Sequence, residues 1–262
     1  MEFRILGPIE VVGDGGESLA LGGTRSRALL AALLLEPGRA VTRERLIDGL
    51  WAAPPATASH ALEVCASRLR RTIGRQRIRC QGHAYRAEVE PDELDLVRFR
   101  TLVRIGRDTA AAGDLGGAAI ALADALALWR GEPVACLNGE PLARDARSFL
   151  EEERLTAVEQ DLDVRLALGR HEELVPELRR IAGAHPTRER LWARLMLALY
   201  RCDRQIDALD VFASVRARLR DELGIEPGLE LRAMQRQILV HDPSLEVFRP
   251  AAVSGEHRVS GP

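Results

Sequence analysis

Arginine side chains are concentrated in one short stretch near the amino end of the chain. Between Val64 and Ala87 there are seven arginines and no Asp or Glu, although the whole chain carries 37 basic and 39 acidic residues. Guanidinium groups bind phosphates as fixed cations, so an acid-free stretch of them is typical of a face that meets duplex nucleic acid. A solvated basic helix is the alternative, and the neighbouring elements must decide between the two.

Residue types elsewhere exclude several chemistries. The chain contains no lysine, which excludes a phosphate-binding loop of the Walker type and Schiff-base catalysis. The four cysteines are scattered without metal-binding spacing, so we expect reduced, mostly buried thiols. The pair Gly13-x-Gly15 superficially matches the start of a dinucleotide-binding fingerprint, but that fingerprint requires a helix directly after it. No helix follows here, so the pair indicates a hairpin turn. The acidic run 151–153 indicates a solvated helix face, because successive helical side chains point about 100° apart. We therefore expect no catalytic residue, no cofactor and no metal.

Apolar runs in this sequence are short. The run Ala28–Leu35 falls well below the roughly 20 residues that a membrane span requires. The chain begins with a strand-like pattern in place of a signal peptide. We therefore expect a cytoplasmic protein that does not enter a membrane.

The first ninety or so residues predict a winged helix-turn-helix. β-rich runs come first, followed by three helices separated by Pro-Gly and Pro-Pro breaks, and then by a short hairpin. We predict strands at 3–9, 10–12 and 18–21, helices at 24–35, 42–51 and 56–73, and hairpin strands at 78–80 and 85–89. Thr24 and Thr42 are the expected N-caps of the first two helices, and Gly74 is the expected end of the third.

The third predicted helix has one apolar face and one polar face. At 100° per residue its inner face comprises six residues: Ala58, Leu62, Cys65, Ala66, Leu69 and Ile73. The opposite face comprises Thr57, His60, Val64, Ser67, Arg68 and Arg71. This outward set suits a major groove, because late arginines can clamp phosphates while shorter side chains near the helix start approach base edges.

Individual side chains on and near this face keep more than one interpretation. Val64 can contact a thymine methyl group or be an isolated surface valine, and His60 can bind a base, bind a phosphate or merely help begin the helix. Further candidates for DNA contact are Arg79 and Arg86 on the hairpin (minor groove or phosphates), Arg75 and Arg77 in the connecting loop (phosphates), and Arg43 as a weaker phosphate contact. Tyr85 is expected to pack under the hairpin.

The region from about Leu94 to Val240 predicts helices almost throughout. Turns at 112–114, 168–170 and 202–204 precede amphipathic stretches, and the last two turns are 34 residues apart, the period of a tetratricopeptide repeat. Apolar Leu122, Leu178 and Phe212 follow at a constant distance, and Pro186 and Pro227 close two repeats. We therefore predict a mainly α protein with a small β component, divided into a winged helix at 1–92, an all-α helical-repeat domain at 93–242 and a disordered tail at 243–262.

Seven segments together resemble the Streptomyces antibiotic regulatory protein family over roughly residues 3 to 240. They are 27–30 (RALL), 46–51 (LIDGLW), 67–71 (SRLRR), 95–99 (DLVRF), 126–131 (LALWRG), 195–200 (LMLALY) and 222–228 (ELGIEPG). The resemblance implies an OmpR-type winged helix followed by a bacterial transcriptional activation domain. It further implies a cytoplasmic activator that binds direct repeats upstream of a secondary-metabolite (antibiotic) gene cluster and recruits RNA polymerase.

The resemblance also implies roles for parts of the chain. The helix that begins near Ala56 would read the major groove, and the loop Ala52, Ala53, Pro54 and Pro55 would face RNA polymerase holoenzyme. The protein would act as a homodimer or as a tandem pair on DNA. Ala84 departs from the family, which usually has glycine before the hairpin tyrosine, and a positive φ there would strain an alanine. No receiver or nucleotide-binding module is found in the sequence, so neither aspartate phosphorylation nor ATP is the expected switch.

A different class of function is the second interpretation of the sequence. In it, the protein is a helical-repeat scaffold, or a sensor of a ligand or peptide, and its basic domain binds RNA or another anionic partner. RNA-binding modules usually stack bases on exposed aromatic side chains. Aromatic residues are only 4% of the chain, and Tyr85 is the one aromatic residue between Arg68 and Arg86. The sequence therefore favours DNA. The repeat domain could also hold a small molecule or peptide that tunes DNA binding, although no residue identifies such a ligand.

Overall fold

The structure is a computed structural model. It describes residues 1–137 and 141–246, apart from the side chain of Cys136. The chain divides into two compact units, Met1–Asp161 and a second unit that begins at Leu162. Helices dominate both units and the described strands are short. The predicted fold class, a mainly α protein with a winged helix and helical repeats, is confirmed.

The chain begins with a small antiparallel sheet. Strands β1 (Glu2–Arg4) and β2 (Glu10–Val12) pair so that Phe3 lies opposite Val11. The predicted first strand is too long, because the chain bends at Leu6, Gly7 and Pro8 before β2 begins at Glu10. The predicted strand at 18–21 is reduced to a single bridge between Val12 and Ser18. The Gly-rich segment between β2 and Ser18 is a turn, as predicted, in which the Gly16 amide donates a hydrogen bond to the Gly13 carbonyl.

Three helices form the centre of the winged helix. Helix α1 (Thr24–Leu35) is buried on nearly every side, and α2 (Arg43–Leu50) and α3 (Ala58–Ile73) pack against it. The predicted cap of α2 is confirmed, because the Thr42 side chain accepts a hydrogen bond from the Arg45 amide. The predicted cap of α1 is wrong: Thr24 is already helical, and the N-cap is Gly23, which offers no side chain.

A three-stranded sheet closes the winged helix. Strands β3 (Val41–Thr42), β4 (Ile78–Gln81) and β5 (Ala84–Ala87) are antiparallel, with β5 in the middle. The hairpin formed by β4 and β5 is the wing. The first predicted strand begins correctly at Ile78, but each predicted strand stops one residue short of the turn, because the turn occupies only the two residues between Gln81 and Ala84. The second strand also ends at Ala87, two residues before the predicted end.

The winged helix and the first helical hairpin share one hydrophobic core. Helices α4 (Asp95–Ala111) and α5 (Leu115–Ala127) follow the wing, and Phe99 of α4 lies in the same buried cluster as Phe3 and Leu69. The buried Asp95 carboxylate accepts hydrogen bonds from the Ile5 and Leu6 amides at 2.9 and 3.0 Å. These bonds cross the predicted boundary between residues 92 and 93, and the packing unit runs on to residue 161. The division into domains at that boundary stays a prediction.

The remaining helices follow the predicted hairpin pattern. They are α6 (Pro141–Ala167), α7 (His171–Ala184), α8 (Glu189–Arg201), α9 (Gln205–Leu223) and α10 (Leu229–Leu239). The turn residues Gly113, Gly169 and Asp203 each have positive φ immediately before a new helix. Leu122, Leu178 and Phe212 are all buried, which confirms the predicted core position that recurs after each turn.

The predicted tail is partly ordered. Residues Pro243–Leu245 form a short 3₁₀ turn, Leu245 is buried, and its carbonyl accepts a 2.7 Å hydrogen bond from Arg201 Nε. Pro243–Leu245 therefore do not belong to a disordered tail, although the sequence predicted that the tail begins at residue 243. Residues 247–262 of the predicted tail lie outside the described residues. Across the described ranges, no helix combines the length and apolar character that a membrane crossing would need.

Candidate nucleic-acid interface

Helix α3 is held by one face and presents the other to solvent. The six residues predicted for its inner face are the six that are buried in the structure, from Ala58 to Ile73. All of them except Ala58 belong to the hydrophobic core of the first unit, which also contains residues of α1 and α2. The outward direction of α3 is therefore fixed by its own apolar periodicity, and the prediction of its two faces is confirmed.

Small and hydrogen-bonding side chains occupy the outward face from its start up to Ser67. Thr57, His60 and Ser67 are exposed, and the helix begins after the Pro54-Pro55 break. Val64 is half-buried and not fully exposed, unlike the other predicted residues of this face. Such side chains can approach base edges within a groove because they bring no bulky charge to the helix surface.

Arginines without carboxylate partners occupy the second half of this face and the turn beyond it. Arg68, Arg71 and Arg75 are exposed, and no carboxylate in the described part of the chain forms an ion pair with any of them. A free guanidinium can exchange its water for a phosphate oxygen without first breaking a bond within the protein. These three arginines therefore form the most available cationic set of the interface.

A groove lies between the end of α3 and the first wing strand. It has a volume of about 650 Å³, and its charged walls are Arg70, Arg71, Arg75 and Arg79. Ser67, Gln76, Ile78, Cys80 and Gln81 complete the lining, so no acidic residue is part of it within the described ranges. The groove concentrates positive potential in a concave surface, which is what a phosphodiester backbone requires.

Hydrogen bonds fix the wing against α3. Gly74 ends α3 with a φ of +102°, and the Arg70 Nε then donates to the Ile78 carbonyl at 2.8 Å. At the tip, Gly82 has a φ of +60°, the geometry that the first residue of a two-residue type II′ hairpin needs. The expected strain at Ala84 is absent, because Ala84 lies inside β5 opposite Gln81 with an ordinary strand φ.

The two predicted wing arginines are directly opposite each other. Arg79 on β4 pairs with Arg86 on β5, and Glu88 lies close to both, at 3.3 Å from Arg79 Nε and 2.9 Å from Arg86 Nε. Glu88 offsets the repulsion between the two guanidiniums. Arg79 is the more exposed of the pair, so it is the better placed to reach DNA. Tyr85 is buried beneath the wing as predicted, and burial raises the pKa of its phenol.

Two other candidate arginines are engaged within the protein. Arg77 donates two hydrogen bonds of 2.6 Å to Glu93, and its guanidinium lies 5.9 Å from the ring centre of Phe3. Because this carboxylate satisfies both terminal nitrogens, the expected phosphate contact of Arg77 is corrected to a structural role. Arg43 Nη2 lies 3.0 Å from Glu63 Oε1, so Arg43 is not a free cation either.

The predicted polymerase-facing loop is exposed along its whole length. Ala52, Ala53, Pro54 and Pro55 all face solvent. The loop starts from buried Trp51, whose ring is covered by the Arg25 guanidinium at 4.5 Å, while Arg25 Nη1 also donates to the Leu50 carbonyl. A rigid base and two prolines give the loop a defined shape. Its contact with RNA polymerase stays a prediction.

Sequence reasoning missed four residues at this interface. Arg70, Gln76 and Gln81 line the groove, and Glu63 borders the outward face of α3. The two glutamines carried no charge signal, and Arg70 lies only 80° from Leu62 on the helical wheel, outside the set chosen as outward. Glu63 falls one residue before the acid-free stretch, so the charge pattern does not single it out. Its spacing of three from His60 and four from Ser67 was the available signal.

The described cysteines are free thiols that differ in exposure. Within the described residues, no group of His, Cys, Asp and Glu side chains could hold a metal ion. The expectation of mostly buried thiols is only partly right: Cys65 is buried, Cys202 is half-buried, and Cys80 is exposed on the wing. Cys136 lies outside the described side chains.

Two family models match the chain in the order that the fold suggests. The model described as "Transcriptional regulatory protein, C terminal" matches residues 16–83, and the model described as "Bacterial transcriptional activator domain" matches residues 94–239. The second match alone covers more than half of the chain. The two matches meet near residues 83–94, close to the predicted boundary at 92, so the sequence families divide where the packing does not.

Several curated relatives are similar over almost the whole chain. The regulatory protein AfsR of Streptomyces coelicolor is 45% identical over 94% of this chain, which spans only 25% of AfsR. The regulatory protein DnrI of Streptomyces peucetius is 32% identical, with 94% of each protein covered. A solved structure of Mycobacterium tuberculosis EmbR, in complex with a low affinity phosphopeptide, superposes with a TM-score of 0.89 at 33% identity, over 92% of this chain and 65% of EmbR.

These matches agree with the geometry of the interface. Residues 16–83, which match the first family, include α3 and most of the wing. Residues 94–239, which match the second family, include the helical hairpins. DnrI shows that a curated regulator can consist of this pair of domains along nearly all of its length. The chain belongs to the Streptomyces antibiotic regulatory protein family of transcriptional activators.

Proposed function

We propose that this protein is a sequence-specific DNA-binding activator that inserts α3 into the major groove of duplex DNA. The observation that carries the proposal is the outward face of α3, which is exposed, merges into the arginine-lined groove and is rigidly backed by six buried side chains. An α-helix fits the major groove of B-DNA, which is about 12 Å wide. The wing would then lie beside the adjacent minor groove, with Arg79 and Arg86 nearest to it.

The face separates into two kinds of contact. Arg68, Arg71, Arg75 and Arg79 would bind phosphates and set the position of the protein on the duplex, independently of sequence. Thr57, His60, Val64 and Ser67 would contact base edges and supply sequence preference. This division follows from position, because the arginines cluster at the end of α3 and in the groove while the shorter side chains precede them.

The wider biological role belongs to the same proposal. Family membership supports binding to direct repeats upstream of a secondary-metabolite gene cluster, as a homodimer or a tandem pair. It also supports recruitment of RNA polymerase, for which the exposed loop Ala52–Pro55 offers a surface beside α3. Because the target is chromosomal DNA, the proposed location is the bacterial cytoplasm.

RNA binding by the basic domain is the competing function. Within the described part, the interface offers guanidiniums and short polar groups but no exposed Phe, Tyr or Trp ring, since Tyr85 is buried. Single-stranded RNA recognition depends on such rings. A gel-shift titration at several salt concentrations should show tighter binding to a duplex DNA from its own promoter region than to an RNA of the same sequence. Tighter binding to the RNA would overturn the proposal.

We predict that Arg71→Ala weakens binding to specific and random DNA by the same factor. Arg71 is a free guanidinium at the mouth of the groove, so its loss removes one phosphate contact and lowers the salt slope of log K by about one. Arg180→Ala, the same change at an exposed arginine of α7, is the control and should leave both quantities unchanged. A loss confined to the specific sequence would assign Arg71 to base recognition instead.

We predict that His60→Ala and Val64→Ala each change the preference at one base position by about 1–3 kcal/mol. Both side chains lie on the first half of the outward face, where they would approach base edges. Their effect on random DNA should be small, because neither side chain is one of the arginines that we assign to phosphate contact. Selection of bound sites from a randomised duplex library measures both effects, and equal losses on every sequence would show that the wrong face has been assigned.

A further inference from the structure

Glu63 is the only acidic residue between Ala52 and Ala87. It lies on α3, one helical turn after His60 and one turn before Ser67, so it borders the face that we assign to base contact. Its side chain is 50% exposed. A carboxylate therefore reaches solvent at the edge of a surface that is otherwise built to attract phosphates.

An ion pair fixes the position of this carboxylate. Arg43 Nη2 lies 3.0 Å from Glu63 Oε1, and only 23% of the Arg43 side chain is exposed. Arg43 is the first residue of α2, whose start is held by the Thr42 cap. Glu63 is thus oriented by the other helix of the helix-turn-helix, and its second oxygen, Oε2, is left for another donor.

Stability does not explain this pair. Partly exposed ion pairs typically contribute about 0–1 kcal/mol. The same two helices are already joined to the core through Leu46 of α2 and Leu62 of α3, both fully buried. Affinity for DNA does not explain it either, because a carboxylate repels the phosphates that the nearby arginines attract. The remaining property that a carboxylate can supply is discrimination between bases.

We propose that Glu63 is a specificity-determining residue that accepts a hydrogen bond from the N4 amino group of a cytosine in the major groove. Thymine presents the O4 acceptor and guanine the N7 and O6 acceptors, all of which a carboxylate repels. Cytosine and adenine each present an amino donor, but in adenine the N7 acceptor lies beside it, so cytosine is the favoured base. Arg43 acts as a positioning residue that holds the carboxylate toward the groove. This inference rests on the proposed function, since it requires α3 to lie in the major groove.

The test compares site selection by the wild-type protein with selection by Glu63→Gln. A glutamine amide both donates and accepts, so it tolerates cytosine and thymine alike. We expect the wild type to select cytosine at one position and to bind at least about 10-fold more weakly when that cytosine becomes thymine. In Glu63→Gln the difference should fall to about 2-fold or less, and binding to random DNA should become tighter because a negative charge is lost.

Glu44→Gln is the matched control, because Glu44 is an exposed acid on α2 that loses the same charge. It should keep the cytosine preference. If Glu63→Gln and Glu44→Gln instead strengthen binding to every sequence equally, Glu63 only repels phosphates and the inference is wrong. If the wild type selects no sequence at all, the proposed DNA recognition itself fails, which is a separate result.

Variants of Arg43 test its positioning role. Arg43→Ala should reduce the cytosine preference although Glu63 is intact, and Arg43→Lys, which keeps a cation near the carboxylate, should largely restore it. A purely structural role would lower the unfolding midpoint without moving the base preference. That result would remove Arg43 from the proposal.

Discussion

Replacing Asp95 with alanine should lower the free energy of unfolding of the first unit by about 3–5 kcal/mol. The Asp95 side chain is only 2% exposed, and its oxygens accept hydrogen bonds from the Ile5 and Leu6 amides at 2.9 and 3.0 Å. Alanine leaves both amides buried without a partner, and each such group costs about 1–3 kcal/mol. Urea unfolding followed by circular dichroism measures the change.

Two further variants test whether the lost hydrogen bonds cause this change in stability. Asp95→Asn keeps one carbonyl oxygen as an acceptor and should lose roughly half as much stability. Asp92→Ala removes an exposed carboxylate three residues earlier and should change stability by less than about 0.5 kcal/mol. A loss below 1 kcal/mol for Asp95→Ala would mean that β1 and α4 are not joined through this carboxylate.

Moving one of two adjacent half-sites by half a helical turn should abolish paired binding on DNA. If two copies dock side by side, their binding sites are about 10–10.5 base pairs apart and the copies lie on the same side of the duplex. An insertion of five base pairs rotates one copy to the opposite side of the duplex. The gain in affinity that comes from both copies binding at once, which reaches about 10²–10⁴-fold, is then lost. A gel shift that resolves one-copy from two-copy complexes measures the loss.

A full-turn insertion is the control for this experiment. It restores the relative orientation of the two copies while separating them, so part of the paired binding should return. Equal occupancy at every spacing would show that the copies bind independently, and the proposed tandem arrangement would then be wrong. Binding to one half-site by α3 would be unaffected by that outcome.

The inner face of α3 was predictable because it depends on one short segment. Residues such as Leu62 and Leu69 recur with helical periodicity, and burying that stripe leaves only one outward direction. The recurring turns of the second half were predictable for the same reason. Gly113 and Gly169 mark helix starts through a backbone conformation that glycine adopts easily.

Interactions between distant residues were not predictable from local patterns. Asp95 contacts Ile5 and Leu6 across 89 or 90 positions of the chain, so the sequence boundary near 92 conceals a shared core. Arg77 and Glu93 are 16 positions apart, and a charge count alone assigned Arg77 to DNA. Charge patterns locate a cationic region, but the three-dimensional partner of each arginine decides which of them are free.

The geometry of the wing was also not predictable from a single residue. Ala84 suggested a strained wing, yet the positive φ belongs to Gly82, two residues earlier. Turn type depends on the register of both strands, and that register is fixed by the pairing of Ile78 with Ala87.

Methylation interference on a bound promoter fragment tests most directly whether α3 lies in the major groove. Guanine N7 faces the major groove, whereas adenine N3 faces the minor groove. We predict that methyl groups on N7 of one or two guanines in each half-site block binding, and that the His60→Ala variant loses one of these interferences. Interference confined to adenine N3, with every guanine N7 methylation tolerated, would contradict the account.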